Sequence, residues 1–474
     1  MPALFTMKNG TIALSLVIVG GFWLWPAGNK RPVFDDPVTS RLSTSTATET
    51  VANASPPESE SASWSRFRGP NGSGISDDSN VPLEWNEKKN LAWKLKLPGA
   101  GASSPIVTKD YVFVTSYSGY GVPGERGGSS DKLERHLSCV DRKTGKVVWA
   151  KTVKNQQRED VYQGMGVPEH GYATNTPVTD GEHIYVFYGK SGVLAYDLKG
   201  EKVWEKNVGT ESSNRRWGSA SSLLLHGNRL IVNASEESQA IFALDKKTGK
   251  EIWKTEASSL ELAYSTPALV KIDDKRTDLV VAVPSEVWGI NPDNGKLVWF
   301  VETSLTDNLS PSVNVVGNMI YVFGGYRSKG SLAIKTGGKG DITESHTQWT
   351  SRTTSYVATP VHCKNRLYWI DDKGLYHCLD ATNGESIVRE RMPFESGGRG
   401  RPVYSSPISV NDKIYLQTRT NGLYVVDSTE DLEVISHNEF GSDKSQFNST
   451  PAVDNGQLFL RSNQFLYCVQ KQAE

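Results

Sequence analysis

The chain has 474 residues, with 52 Lys plus Arg against 53 Asp plus Glu, and 37% of it is hydrophobic. That balance excludes the broad basic field of a nucleic-acid binder and gives no acidic field for a cationic partner. Thirteen tryptophans allow a sizeable core, while 43 glycines and 22 prolines predict many turns between short strands.

In chain order, residues 1–30 come first. Their apolar run TIALSLVIVGGFWLW (11–25) is uncharged and follows Lys8, which predicts an export signal or a short membrane anchor. The run is shorter than the ~20 residues that span a bilayer. Trp25 would stand three back from a cut after Ala27, so an uncleaved anchor rivals a removed peptide. No cysteine lies in this segment, which excludes a lipidated N-terminal Cys. The expected location is the periplasm or cell envelope, with membrane association through the N-terminus. Residues 31–63 are rich in Ser, Thr, Ala, Pro and Glu; they cannot bury enough surface to offset ordering and read as a disordered linker. Residues 64–90, with FRGPNGSG and PLEW, read as an extension packing on the domain that follows.

Residues 91–474 repeat. Each unit opens on a small polar pair, usually Ser-Pro or Thr-Pro: Ser104-Pro105, Thr176-Pro177, Ser221-Ser222, Thr266-Pro267, Ser310-Pro311, Thr359-Pro360, Ser406-Pro407 and Thr450-Pro451. Four short strand signals follow. The third ends in a small residue, one further residue and usually Asp, as in CVD at 139 or ALD at 243; the fourth holds Trp149, Trp204, Trp253, Trp299 or Trp349. Between them, D-x-x-T-G-K has a local logic, because Asp accepts turn amides and Gly supplies a positive φ. The tryptophan then fills the space between neighbouring sheets. Eight such units predict an all-β fold, an eight-bladed β-propeller of four-stranded blades. The last unit stops after three strands, and AWKLKL with Trp93 has no unit of its own. A strand at about 91–97 is therefore expected to complete the last blade and close the ring.

Cys139, Cys378 and Cys468 share the small-residue column with Ala195, Ala243, Gly289 and Ala333 and read as buried small side chains. Cys363, 15 residues before Cys378, makes a disulfide between the two conceivable in an exported protein. No haem-attachment or zinc pattern occurs.

The phrase A-x-D-x-x-T-G-K-x-x-W, complete at Ala243–Trp253 and nearly so at Cys139–Trp149, resembles the PQQ-like propeller repeat family. That family includes the quinoprotein dehydrogenases and the propeller subunit of the outer-membrane β-barrel assembly machinery. The resemblance extends over all eight units and implies the propeller fold. The dehydrogenases rely on an adjacent-Cys disulfide, a calcium site and an Asp base. This chain has no adjacent Cys pair, and the calcium set falls on none of its motifs. The chain therefore resembles the assembly subunit more closely. No cofactor, metal ligand or catalytic residue is expected, and PQQ with calcium enters only under the alternative of a redox enzyme.

Function usually sits on loops, and in a propeller the fourth-to-first and second-to-third connections gather at one face. Those loops carry Arg126, His170, Arg215, Arg216, Trp217, Tyr264, Arg352, Tyr356, Arg399, Arg401 and Tyr404. Arginines beside flat aromatics suit a carboxylate, a phosphate or an acidic peptide, unless Glu125, Glu169 and Glu395 neutralise them. His170 has no partner carboxylate at a defined spacing. The expected function is a non-enzymatic propeller binding a protein or peptide partner. A redox enzyme and a surface polysaccharide- or polyanion-binding propeller are the alternatives.

Overall fold

The computed structural model describes residues 64–125, 128–164, 166–394 and 401–472. The predicted signal or anchor and the linker lie outside these residues. Eight antiparallel sheets succeed one another along the chain, and together they form the eight-bladed propeller. The first strands line the central channel, and the fourth strands form the circumference.

The ring closes as the sequence requires. Leu91–Lys96 pairs antiparallel with Phe465–Gln470, placing Trp93 opposite Cys468. It is the fourth strand of a sheet whose other three strands come from residues 452–470. Of the four cysteines, Cys139 and Cys468 face Trp149 and Trp93, and Cys378 faces Val388. In the same column Ala195, Ala243, Gly289 and Ala333 face Trp204, Trp253, Trp299 and Trp349. The small residue makes room for the indole across the strand. In every blade the fourth strand carries a one-residue register shift immediately before this position, for example between Lys202 and Trp204. Such a bulge twists the strand and presents the tryptophan to the next blade.

There it meets the turn glycine. Trp93 lies on Gly145, where an added Cβ would sit 2.5 Å from the indole, and its Nε1–H donates to Arg142 O at 2.9 Å. Trp149, Trp204, Trp253 and Trp349 repeat the arrangement with Leu198, Lys246, Pro292 and Ala381 carbonyls at 2.9–3.0 Å. Trp299 departs from it. Its Nε1–H goes to Asp278 of its own blade at 2.8 Å, and its ring covers Gly289, where a Cβ would lie 1.9 Å away. The reason is the longer reversal in blade five, from which Gly340–Asp341 pairs parallel with Trp299–Phe300 along that edge. Trp299 is therefore buried with blade-five side chains such as Ile320, Leu332 and Ile342, but it does not reach a turn carbonyl of that blade as the others do.

The opening column also needs a correction in two blades. Residues 104, 176, 222, 266, 312, 359, 406 and 450 are structurally equivalent, because each successive hydroxyl accepts the backbone N–H of its predecessor at 2.8–3.1 Å. Blade three thus begins at Ser222 and blade five at Ser312, one and two residues after the positions that the small-residue pattern picked. No proline follows Ser222 or Ser312, and in blade five Pro311 stands one residue ahead, where it drew the pattern to Ser310.

The Cys363–Cys378 disulfide does not form; all four cysteines are free and buried. Cys363 pairs with Arg366 and Cys378 with Tyr368, so a whole strand runs between them. Two strand spacings, ~9.5 Å, exceed the reach of a disulfide.

Residues 64–90 are built into the ring. Ile75–Ser76 pairs parallel with Ser409–Val410 of an innermost strand. Trp64 O and Ser65 O accept Val107 N–H and Thr179 N–H from the innermost strands of blades one and two. Arg68 donates five hydrogen bonds, to Gly72, Ser73, Thr359, Pro360 and Pro407 carbonyls at 2.7–3.4 Å. Glycine is required around it: a Cβ on Gly74 (φ +75°) would meet the Arg68 guanidinium at 3.0 Å. The segment is a plug across one end of the channel. Further along, Trp85 stacks on Tyr415 with centroids 6.3 Å apart.

Candidate functional site

With one end plugged, the channel becomes a cup open at the face of the fourth-to-first loops. It encloses about 570 Å³. Phe67 of the plug contributes to its lining, as do Ser222, Thr266, Ser312, Thr359, Ser406 and Thr450 from the hydroxyl belt. Trp217, Tyr264, Tyr356 and Tyr404 supply aromatic surface higher up, and His170 and Arg401 supply polar groups.

These six functional-loop residues are the part of the sequence reading that converges. Trp217 and Tyr264 stack, with centroids 5.8 Å apart. The Arg401 guanidinium lies 4.2 Å from the Tyr356 ring centroid and its Nε is 3.4 Å from Asp372. Burial, offset only in part by Arg401, raises the Tyr356 hydroxyl above its ordinary value, so it enters the cup as a donor. His170 Nδ1 shares a hydrogen bond with Thr174 Oγ1 at 2.6 Å, and burial pushes the ring down to about 4. It is neutral at physiological pH.

The other candidates go elsewhere. Arg215 sits 5.7 Å over the Trp217 ring, but one of its nitrogens holds both oxygens of Asp307 at 2.6 and 2.8 Å. It is a bracket for the loop, outside the cup lining. Arg216 and Arg352 are exposed and also outside it. Their loops turn them toward solvent, with Arg216 at φ +55°. Arg126, Arg399 and Glu395 lie outside the described residues. Glu169 lines the cup, yet it neutralises an arginine that the sequence reading omitted: it accepts from Arg419 across the mouth, from blade seven. Arg419 also donates to Asn448 at 2.9 Å, Gln446 at 2.7 Å and Arg401 O at 3.1 Å, and covers the Tyr404 ring at 4.6 Å. Its position in a second-to-third hairpin, QTRTNG, was the available signal.

Sequence reasoning also missed the plug arginines. Arg66 and Arg68 are buried, and burial lowers them to about 10 and about 9. Arg461, behind Ser103 of blade one, is likewise buried and lowered to about 9. Among the described residues, none of the three pairs with a carboxylate. The alternation W-S-R-F-R-G ahead of the repeats was legible, but nothing local said that it enters the channel.

The cup is a poor match for a quinone with calcium. No two cysteines adjoin, and Glu169 is the one carboxylate in the lining and is engaged by Arg419. Among the described residues, no group of three His, Cys, Asp or Glu is arranged to hold a metal ion.

Comparison with known proteins bears on the fold. Residues 121–262 match the family model described as outer membrane protein assembly factor BamB. Among solved structures, BamB from Moraxella catarrhalis superposes with TM-score 0.55 at 14% identity, covering 80% of this chain and 99% of that one. Quinohemoprotein alcohol dehydrogenase from Comamonas testosteroni gives TM-score 0.55 at 11% identity, covering 88% and 82%. A computationally designed protein, Ika8, gives 0.51 at 10% identity, covering 79% and 98%. At these identities the likeness is one of fold. No curated protein matches the sequence. The resemblance to PQQ-like propellers stands, with the assembly-factor model as the match in sequence.

Proposed function

We propose that this chain is an exported, envelope-located propeller that captures a protein or peptide partner at the mouth of its cup and carries out no chemistry on it. The observation that carries the reading is the mouth itself. Arg401, Trp217, Tyr264, Tyr356 and Tyr404 converge on one concavity held by a closed ring. Stacked aromatics with an arginine are the anchors that dominate protein recognition. Among the described residues, the neutral His170 side chain hydrogen-bonds a threonine and no carboxylate, which favours binding over acid–base catalysis. The match to an assembly-factor model over residues 121–262 supports a partner-binding role. A cup of about 570 Å³ admits a side chain or a chain end, so most of the partner would rest on the rim. Arg401 and the weakly compensated interior favour an acidic partner, and the N-terminal segment would keep the ring at the membrane.

The test uses the immobilised full chain against solubilised envelope proteins. Capture should survive Arg352→Ala, which lies away from the cup, and fail in Arg401→Ala combined with Trp217→Ala. Equal capture by all three proteins would overturn the assignment of the mouth.

A further inference from the structure

Around the cup runs a belt of hydroxyls, each with one of its two lone pairs engaged. Ser222, Thr266, Ser312, Thr359, Ser406 and Thr450 each accept a backbone N–H from the blade before, at 2.8–3.1 Å. Among the described residues, none of these six hydroxyls donates to a protein acceptor. A Ser or Thr hydroxyl has one O–H to give. All six residues line the cavity, so the ring of seven blade-to-blade hydrogen bonds leaves a ring of donors around the axis. The eighth hydroxyl, Ser104 Oγ, is buried without any partner.

Buried positive charge lies beside the belt, Arg68 under Thr359 and Arg461 behind Ser103. Arg68 spends its guanidinium on carbonyls, two of them Thr359 O and Pro360 O of the belt segment. Arg461 gives one nitrogen to Ser103 O at 3.0 Å, while its Nε and its other terminal nitrogen have no partner at all. Together with Arg66 these are buried guanidinium groups that, among the described residues, contact no carboxylate. Burying an unpaired charge is costly, and an anion held above the plug would offset that cost.

We infer that the base of the cup is a receptor for a small carboxylate carrying a ring, its oxyanion held by the hydroxyl belt above Arg68 and its ring against Phe67 and the aromatic wall. The unspent O–H groups of the belt favour an acceptor. The field of the buried arginines selects a negative charge. Phe67, Tyr264, Tyr356 and Tyr404 select a flat or stackable body. Sugar acids and aromatic acids share this chemistry. The inference rests on the reading that the open cup is the binding site and narrows what enters it.

The experiment is calorimetric titration of the full chain with benzoate, glucuronate, and their neutral counterparts benzyl alcohol and glucose, with inorganic phosphate alongside. At least one carboxylate should bind about tenfold or more tightly than its neutral counterpart, and which one binds identifies the aromatic or the sugar source. Thr266→Val keeps the shape and removes one O–H together with the acceptor of Ser222 N–H; it should weaken that carboxylate about tenfold. Should this variant misfold, the wild-type comparison of acid with neutral counterpart decides. Equal binding of acid and neutral forms, binding of phosphate alone, or no heat from any probe each overturn the inference. The partner reading fails separately, since capture at the rim uses Arg401 and Trp217 and is scored on a macromolecule.

Discussion

The closure of the ring can be tested as a coupling between Trp93 and Gly145, two residues 52 positions apart in the chain. Trp93→Ala removes a ring that is 9% exposed, at ~3–5 kcal/mol, and a hydrogen bond to Arg142 O worth about 1 kcal/mol. Gly145→Ala has two costs. The residue sits at φ +69°, which costs a side chain ~1–2 kcal/mol. Its new Cβ would also lie 2.5 Å from the indole, an overlap worth ~1–3 kcal/mol. In the double variant the overlap disappears and the backbone strain stays. The double variant should therefore be more stable than the sum of the singles predicts, by the overlap energy of ~1–3 kcal/mol. Urea unfolding followed by far-ultraviolet circular dichroism of the four proteins measures this coupling. Additivity within about 0.5 kcal/mol would refute the docking of Trp93 on the first blade, and with it the closure.

Deleting residues 1–63 should leave the melting temperature unchanged, whereas deleting 1–80 should lower it, because the second deletion removes buried Trp64 and the five Arg68 hydrogen bonds; thermal scans decide. Burial pushes Cys139 and Cys468 up to about 12 and Cys378 up to about 11, so iodoacetamide at pH 8 should label them only after denaturation, read by mass spectrometry. Burial, with Glu236 beside it, raises Glu237 to about 8. Its folded value exceeds the ordinary 4.5, so the native state holds the extra proton and this group lowers stability progressively as pH rises from 4.5 to 8. The slope is at most ~1.4 kcal/mol per pH unit. Glu237→Gln should flatten that part of the stability–pH curve, and an unchanged curve would refute the assignment. Arg215→Ala leaves the Asp307 carboxylate without its two-oxygen partner and should destabilise by ~1–3 kcal/mol, measured by urea midpoint; no change would show that the pair contributes nothing.

The repeat alone determined the eight blades and the antiparallel strands, because four short strands with a turn glycine and a tryptophan cannot bury themselves except against another copy. It also determined the closure, since AWKLKL lacked a blade and the last blade lacked a strand. Tryptophan opposite a small residue was readable for the same reason, as it depends on a fixed spacing within one unit. What lay beyond one unit was not readable. Trp299 gives its N–H to its own blade because blade five carries a longer reversal, a fact about the neighbour. Cys363 and Cys378 are close in sequence but separated by a strand, so distance along the chain misled. The loop residues could be assigned to one face, yet only packing sent Arg401, Trp217, Tyr264, Tyr356 and Tyr404 into the cup, locked Arg215 on Asp307 and left Arg216 and Arg352 in solvent. Most of all, the tertiary structure decided the role of W-S-R-F-R-G. A short glycine-rich segment has no period to read, and its conformation is fixed by carbonyls nearly 300 and more residues away, at Thr359, Pro360 and Pro407.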